Sequence, residues 1–140
     1  MDRSTMLALT TKFLGAWNTQ DVDSVLGCYT SDLEYRDPNT RGSISGPEPM
    51  RRYLAKLFEG WKMHWSLREA HLFEDGNGCN VLWHATFERP GRAGKIEIDG
   101  MDFVEVRDDR IARNEVSFDR ALLAPLLETQ ADHVRREGLR

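Results

Sequence analysis

Apolar positions recur at helical spacing along the first stretch of the chain, where Met6, Leu9, Phe13, Leu14 and Trp17 make one face of an amphipathic helix over Ser4 to Trp17. Asn18 and Gln20 close it. Asp21 then stands where a carboxylate caps a second, shorter helix carrying Val22, Val25 and Leu26, accepting from the free amides of the first turn. Leu33 to Asp37 reads as a strand, followed by the polar loop "PNTRGSIS" with turn chemistry. Ser45 and Glu48 have capping-box spacing around Pro47, which suits the first helical position; Met50, Tyr53, Leu54, Leu57, Phe58 and Trp61 form the buried stripe of the helix that follows.

Past Gly60 the period changes to two. Lys62 to Phe73 and Cys79 to Glu88 flank "EDGNG", whose Asp-Gly and Asn-Gly pairs favour hairpin turns. "RPGRAG" leads to Ile96 through Val106, and "RDDR" to Ile111 through Phe118, so the pattern predicts an antiparallel meander of four strands. Leu122, Leu123, Leu126, Leu127 and Val134 suggest a last helix. Pro125 would remove a hydrogen bond from its interior, so the helix is placed from about Pro125, with Asp119 to Ala124 as a turn. Helices, a strand, a helix and then a long meander predict one α+β domain over 1–140, a curved antiparallel sheet packed against amino-terminal helices around one pocket.

The 140 residues carry 19 basic and 23 acidic side chains mixed along the chain, so no extended positive field exists for nucleic acid. Arg51-Arg52 and Arg135-Arg136 read as solvated helix faces. Cys28 and Cys79 form no CxxC motif, which suits buried thiols in a reducing compartment. No apolar run approaches the roughly eighteen residues of a membrane span or forms a signal peptide, so a cytoplasmic protein without membrane contact is expected. His64 and His71, seven apart on one strand, should face opposite sides, and His133 lies on a polar helix. With no HxH, HExxH, GxGxxG, Walker or nucleophile-elbow sequence, neither metal nor cofactor is implied.

The segments "FLGAWNTQDVDSVLGCYTSDLEYRDP" and "GMDFVEVRDDRIARNEVSFDR", with the order of elements between them, resemble the nuclear transport factor 2-like superfamily over about Met6 to Leu127. Its branches include ketosteroid isomerases, limonene epoxide hydrolases and SnoaL-like polyketide cyclases. The resemblance implies a cone enclosing a deep apolar pocket, and a homodimer formed through the outer sheet face. It also puts Asp37 where the isomerase branch carries its proton-abstracting aspartate, and Phe13 and Met101 where that branch carries oxyanion donors. Tyr35 and Asp37 match the water-positioning tyrosine and asparagine of the epoxide hydrolases, whose Arg-Asp-Asp set falls on Leu82, His84 and Val116. Asp119 in "SFDR" is the nearest match to the cyclase aspartate. One such fold serves many chemistries and noncatalytic modules alike.

Residue parity adds its own reading: Leu33, Tyr35 and Asp37 share a strand face, and Pro38 keeps Asp37 extended. Asp37 is therefore a candidate base in the pocket, or else the first residue of an Asx-turn bonded to the backbone near Asn39. Tyr35 and His84 are candidate donors to a substrate oxygen, His84 being equally readable as a satisfied sheet histidine, since either face of its strand could line the pocket. Asp119 is a candidate catalytic acid or a turn cap. The remaining pocket candidates are Phe13, Trp17, Phe58, Trp83, Asp99, Met101, Phe103, Asn114, Val116 and Phe118. Together they point to a cofactor-independent isomerase, cyclase or dehydratase. It would abstract a proton next to the carbonyl of a small apolar, polyketide- or terpenoid-like molecule. The other reading is a noncatalytic binding or dimerisation module.

Overall fold

The structure, a computed structural model, describes residues 1–127; the expected helical positions at His133, Val134 and Arg135-Arg136 lie outside them. Helix α1 (Arg3–Thr19) is capped by Asp2, which accepts from the Thr5 amide at 2.8 Å, and it buries Met6, Phe13, Leu14 and Trp17 as the helical spacing requires. Asp21 caps α2 (Val22–Leu26) through the Ser24 amide at 2.9 Å. Strand β1 (Tyr29–Arg36) and the two-residue β2 (Ile44–Ser45) precede α3 (Pro47–Gly60). The expected capping box is absent: Gly46, at φ 83°, is the N-cap, and Ser45 is paired into β2 with its hydroxyl donating to Glu34 at 2.7 Å. Strand pairing turns that hydroxyl toward β1 and away from the helix.

The meander comprises β3 (Lys62–Leu72), β4 (Gly78–Glu88), β5 (Ile96–Arg107) and β6 (Arg110–Ser117). The sheet order is β2-β1-β6-β5-β4-β3, antiparallel throughout the meander, with β1 lying parallel to β6. Asp108 and Asp109 both have positive φ, 54° and 62°, the backbone that a two-residue hairpin turn with the natural strand twist demands. A 3-10 turn (Arg120–Leu123) then leads to α4 (Ala124–Leu127). Among the described residues no helix is long and apolar enough to cross a membrane.

One irregularity overturns a parity expectation. Leu67 pairs with Trp83 but Glu69 with Leu82, so Arg68 is an inserted residue that flips the alternation of β3. His64 and His71 consequently lie on the same outer face. On β4 no such break occurs, and Cys79, Val81, Trp83, Ala85 and Phe87 all point inward and are buried. Trp83 crosses β5 at Gly100, where any Cβ would stand 2.5 Å from the indole and 2.7 Å from the Ser117 carbonyl. Burial raises both thiols, Cys79 to about 11.

Strand β3 is an edge, and its free backbone groups are met by two side-chain amides from the end of α1. Asn18 donates to the Trp65 carbonyl at 2.9 Å and accepts from the Trp65 amide at 2.7 Å. Gln20 donates to the Trp61 carbonyl at 2.8 Å and accepts from the Met63 amide at 2.7 Å. The two amides act as a surrogate strand, covering an edge that would otherwise be open to pairing.

Asn18→Ala leaves both Trp65 backbone groups without partners, and is expected to lower unfolding free energy by about 2 kcal/mol in urea titrations. A loss under about 0.5 kcal/mol, the scale of an ordinary surface substitution, would mean that water replaces the amide.

Candidate active site

The helices and the inner sheet face enclose a cavity of about 40 Å³. Its wall is aromatic, with Phe13, Trp17, Tyr35, Trp65, Phe87 and Phe118 joined by Leu14, Leu57, Met63 and Val116. Two carboxyl groups interrupt that wall, Asp37 and Asp102. Through Asn39 and Leu57 the cavity adjoins an exposed groove floored by Tyr53, Trp61 and Arg89.

Asp37 follows the last residue of β1, and it makes the expected Asx-turn while also lining the cavity. Its Oδ1 accepts from the amides of Asn39 at 2.7 Å and Thr40 at 3.1 Å, an Asx-turn that lets the chain leave the sheet at Pro38. Its Oδ2 accepts from the Tyr35 hydroxyl at 2.6 Å and from the Tyr53 hydroxyl on α3. All four partners are donors, the arrangement of an ionised carboxylate. Burial, joined by the Asp37 charge, holds the Tyr35 hydroxyl well above the usual phenol range and raises that of Tyr53 too. Both therefore keep their protons for Asp37.

Asp102 is differently placed. It is buried on the inward face of β5 between Gly100 and Val104, and Oδ1 accepts from the Trp83 indole at 2.9 Å. Burial lifts its carboxyl to about 7; the side chains of Trp83 and Asn114 offset this in part, and the Asp37 charge adds to it. Asn114, fully buried, is oriented by the Tyr29 hydroxyl, which donates to its Oδ1 at 2.8 Å.

Of the residues singled out from the sequence, the structure brings Asp37, Tyr35, Phe13, Trp17, Val116 and Phe118 to the cavity wall. Phe58 stands behind Trp17, edge-on at 5.9 Å, while Trp83 and Asn114 lie beneath the wall beside Asp102. Four candidates are on the wrong side. His84 lies on the outer face with Nδ1 2.7 Å from Asp99 and Nε2 3.2 Å from Glu97, contacts that raise its pKa. Asp99 also meets Arg68 at 3.7 Å. Met101 is exposed, and Phe103 stacks against Phe73 beneath the Arg113 guanidinium. The unbroken alternation of β4 and its register with β5, Trp83 opposite Gly100 and Leu82 opposite Met101, fix all four outward. Asp119 is exposed and caps the 3-10 turn through the Ala121 amide at 3.0 Å.

Asp102 and Tyr53 were not foreseen as site residues. Asp102 was marked by its apolar neighbours at period two, Ile98 and Val104, and Tyr53 by being the one hydroxyl-bearing ring on the stripe of α3.

A curved sheet closed by helices over an aromatic cavity with two unlike carboxyl groups defines a cone-shaped α+β fold. Residues 10–114 match the SnoaL-like domain model, and the chain belongs to that family. Solved structures agree in fold. A hypothetical protein with a ketosteroid isomerase-like fold from Catenulispora acidiphila DSM 44928, in complex with trimethylamine, is 14% identical with a TM-score of 0.73, covering 83% of this chain and 89% of its own. TerC, co-crystallised with polyporic acid, is 19% identical with a TM-score of 0.75 over 89% of this chain and 99% of its own. The epoxide hydrolase/cyclase-like enzyme SalBIII, described in pyran ring formation in the polyether salinomycin, is 17% identical with a TM-score of 0.75, over 86% and 95%. No curated protein sequence matches the chain.

Because the folded Asp102 holds its proton to about 7 and the unfolded one only to 3.8, the folded state binds the extra proton between those values. The contribution of Asp102 to stability is then greatest below 3.8, falls as pH rises toward 7 and is level above it, a loss on the order of 4 kcal/mol. Asp102→Asn should abolish that slope in urea titrations run from pH 4 to 8; an unchanged slope would assign it to another group.

Proposed function

We propose that the protein is a cofactor-independent enzyme that takes a proton from the carbon next to a carbonyl in a small, largely apolar ring compound. The observation that carries this is the pair of carboxyl groups on one apolar cavity, one held by four donors and the other buried, which raises it to about 7. Environments that separate two acids in this way assign a base and an acid. Asp37 Oδ2, the oxygen not used by the turn, exchanges a tyrosine donor for the substrate proton. The C–H electron pair moves into a new C=C bond, the carbonyl oxygen takes up the charge, and the Asp102 proton hydrogen-bonds to it. Return of the proton to another carbon gives isomerisation, loss of a β-hydroxyl gives dehydration, and attack on a second carbonyl gives cyclisation. The base is the expected Asp37, whereas Asp102 takes the donor role expected of His84, which lies on the outer face, and Asp119 is given to a turn. SalBIII, described as an epoxide hydrolase/cyclase-like enzyme, supports small-molecule chemistry on this scaffold.

A cavity of about 40 Å³ has room for about one or two waters, and favours a second reading, a noncatalytic module whose cone is filled by its own side chains. Proton exchange separates the two. In D2O the enzyme should speed deuterium uptake next to the carbonyl of cyclic enones, followed by NMR; Asp37→Asn should slow it about 100-fold or more and Asp102→Asn by a similar factor. Ketones that bind without exchange would sink the enzyme reading in favour of the module.

The proposal includes a homodimer through the outer face, supported by exposed Met101 and by the Phe73–Phe103 ring pair at 5.0 Å. Met101→Glu is expected to shift the protein from dimer to monomer in sedimentation; a wild-type monomer would end this part of the proposal.

A further inference from the structure

The cavity between Asp37 and Asp102, at about 40 Å³, is far below the roughly 300–1,000 Å³ of a pocket that encloses an organic ligand. The groove it adjoins is about 770 Å³. A ring compound with its reacting end at the two carboxyl groups therefore has the rest of its body in the groove, and what the groove offers decides what that body carries.

Three elements bring cations to the groove: Lys56 on α3, Arg89 just after β4, and Arg120 at the start of the 3-10 turn. Glu59 is the one carboxylate among its described lining residues, so the groove is net positive on a chain whose net charge is −4. Elsewhere Arg36, Arg51, Arg68, Arg107 and Arg113 are paired with carboxylates; among the described residues Lys56, Arg89 and Arg120 are not. Uncharged partners hold the two guanidinium groups instead. Arg120 donates through Nε to Asn39 Oδ1 at 2.6 Å, and Asn39 lines cavity and groove alike, which anchors Arg120 at their junction. Arg89 lies over the Trp61 ring, 4.7 Å from its centroid, and that ring is set edge-on against Phe87 of the cavity wall at 6.1 Å. A guanidinium over a ring is engaged through its charge and not through its N–H groups, so its donors remain available to a ligand.

We infer that the substrate is an organic acid, an apolar ring compound whose free carboxylate, remote from the reacting carbonyl, is held in the groove by Arg89 and Arg120. Guanidinium groups present paired donors that match the two oxygens of a carboxylate, and Lys56 adds to the field that attracts it. The charge on Asp37 repels a carboxylate from the cavity, so the same electrostatics send the neutral end of the molecule to the base and the anion to the groove. This deepens the proposed function and rests on it for which end reacts; binding of the anion stands on the groove alone.

The test uses the full-length protein and two probes of one shape, cinnamate and cinnamamide, titrated by calorimetry at neutral pH in low and in high salt. The wild type is expected to take cinnamate about tenfold more tightly than cinnamamide at low salt, an advantage that shrinks at high salt. Arg89→Gln and Arg120→Gln should each weaken cinnamate about tenfold and leave cinnamamide unchanged. Arg3→Gln makes the same change of charge in the first turn of α1 and should alter neither. The wild-type ratio and its salt dependence give the answer even where a variant is poorly folded. Equal affinity for the two probes, binding of neither, or a preference that both groove substitutions leave intact overturns the inference, and the proposed function is still decided by deuterium exchange. Carboxylate selectivity through the two arginines with no exchange on any ketone, carboxylated ring ketones included, overturns the enzyme reading and leaves an acid-binding module.

Discussion

The pairing of two side-chain amides with the backbone of β3 is the constraint on which the shape of the molecule depends. Asn18 and Gln20 sit at the end of α1, and each meets β3 with one donor and one acceptor. They therefore fix where the helix ends and how it lies along the edge. That placement sets Phe13, Leu14 and Trp17 over the inner sheet face at ring-contact distance from Trp65 and Tyr35. Hydrophobic burial alone is non-directional and would tolerate a sliding helix. The four hydrogen bonds make the register of helix on sheet specific.

Once the helix is fixed, the electrostatics of the cavity follow from what each carboxyl group can reach. Asp37 lies where a strand gives way to a turn, so free backbone amides are at hand, and α3 brings Tyr53 to its second oxygen. Asp102 lies mid-strand, where the backbone amides are spent on the sheet ladder, and only side chains remain to solvate it. The same residue type is thus placed in two solvation regimes a cavity's width apart. Gly100 contributes indirectly, by leaving space for the indole that bonds Asp102.

Much of this was legible in the chain. The helical face of α1, the cap at Asp21, the turn pairs and the four-strand meander are local patterns, and local chemistry enforces them. Which face of β5 points inward is not local. Asp99, Met101 and Phe103 form as plausible an inner set as Ile98, Gly100, Asp102 and Val104 until Trp83 is set opposite Gly100, and the expectation there fell on the wrong side. The inserted Arg68 is equally silent, since a bulge leaves no mark in composition, and it carried His71 to the face of His64. Asn18 and Gln20 read as a helix stop because side-chain amides favour helix ends. Their work on a strand some 45 positions later depends on tertiary contact. At Asp37 the turn and the place on the cavity wall read as alternatives in the chain, but the two carboxylate oxygens divide them, Oδ1 to the turn and Oδ2 to the tyrosines.

The division of labour within that one carboxylate bears on how such a protein can diverge. The turn uses Oδ1 alone, and an asparagine carbonyl oxygen would accept the same two amides. Lengthening the side chain would break the turn, whereas exchanging its outer oxygen for nitrogen would leave the backbone undisturbed. Selection can therefore exchange carboxylate for amide at this position without passing through a misfolded intermediate. A lineage built on this loop can change the chemistry of its cavity wall by a single atom while inheriting its architecture intact.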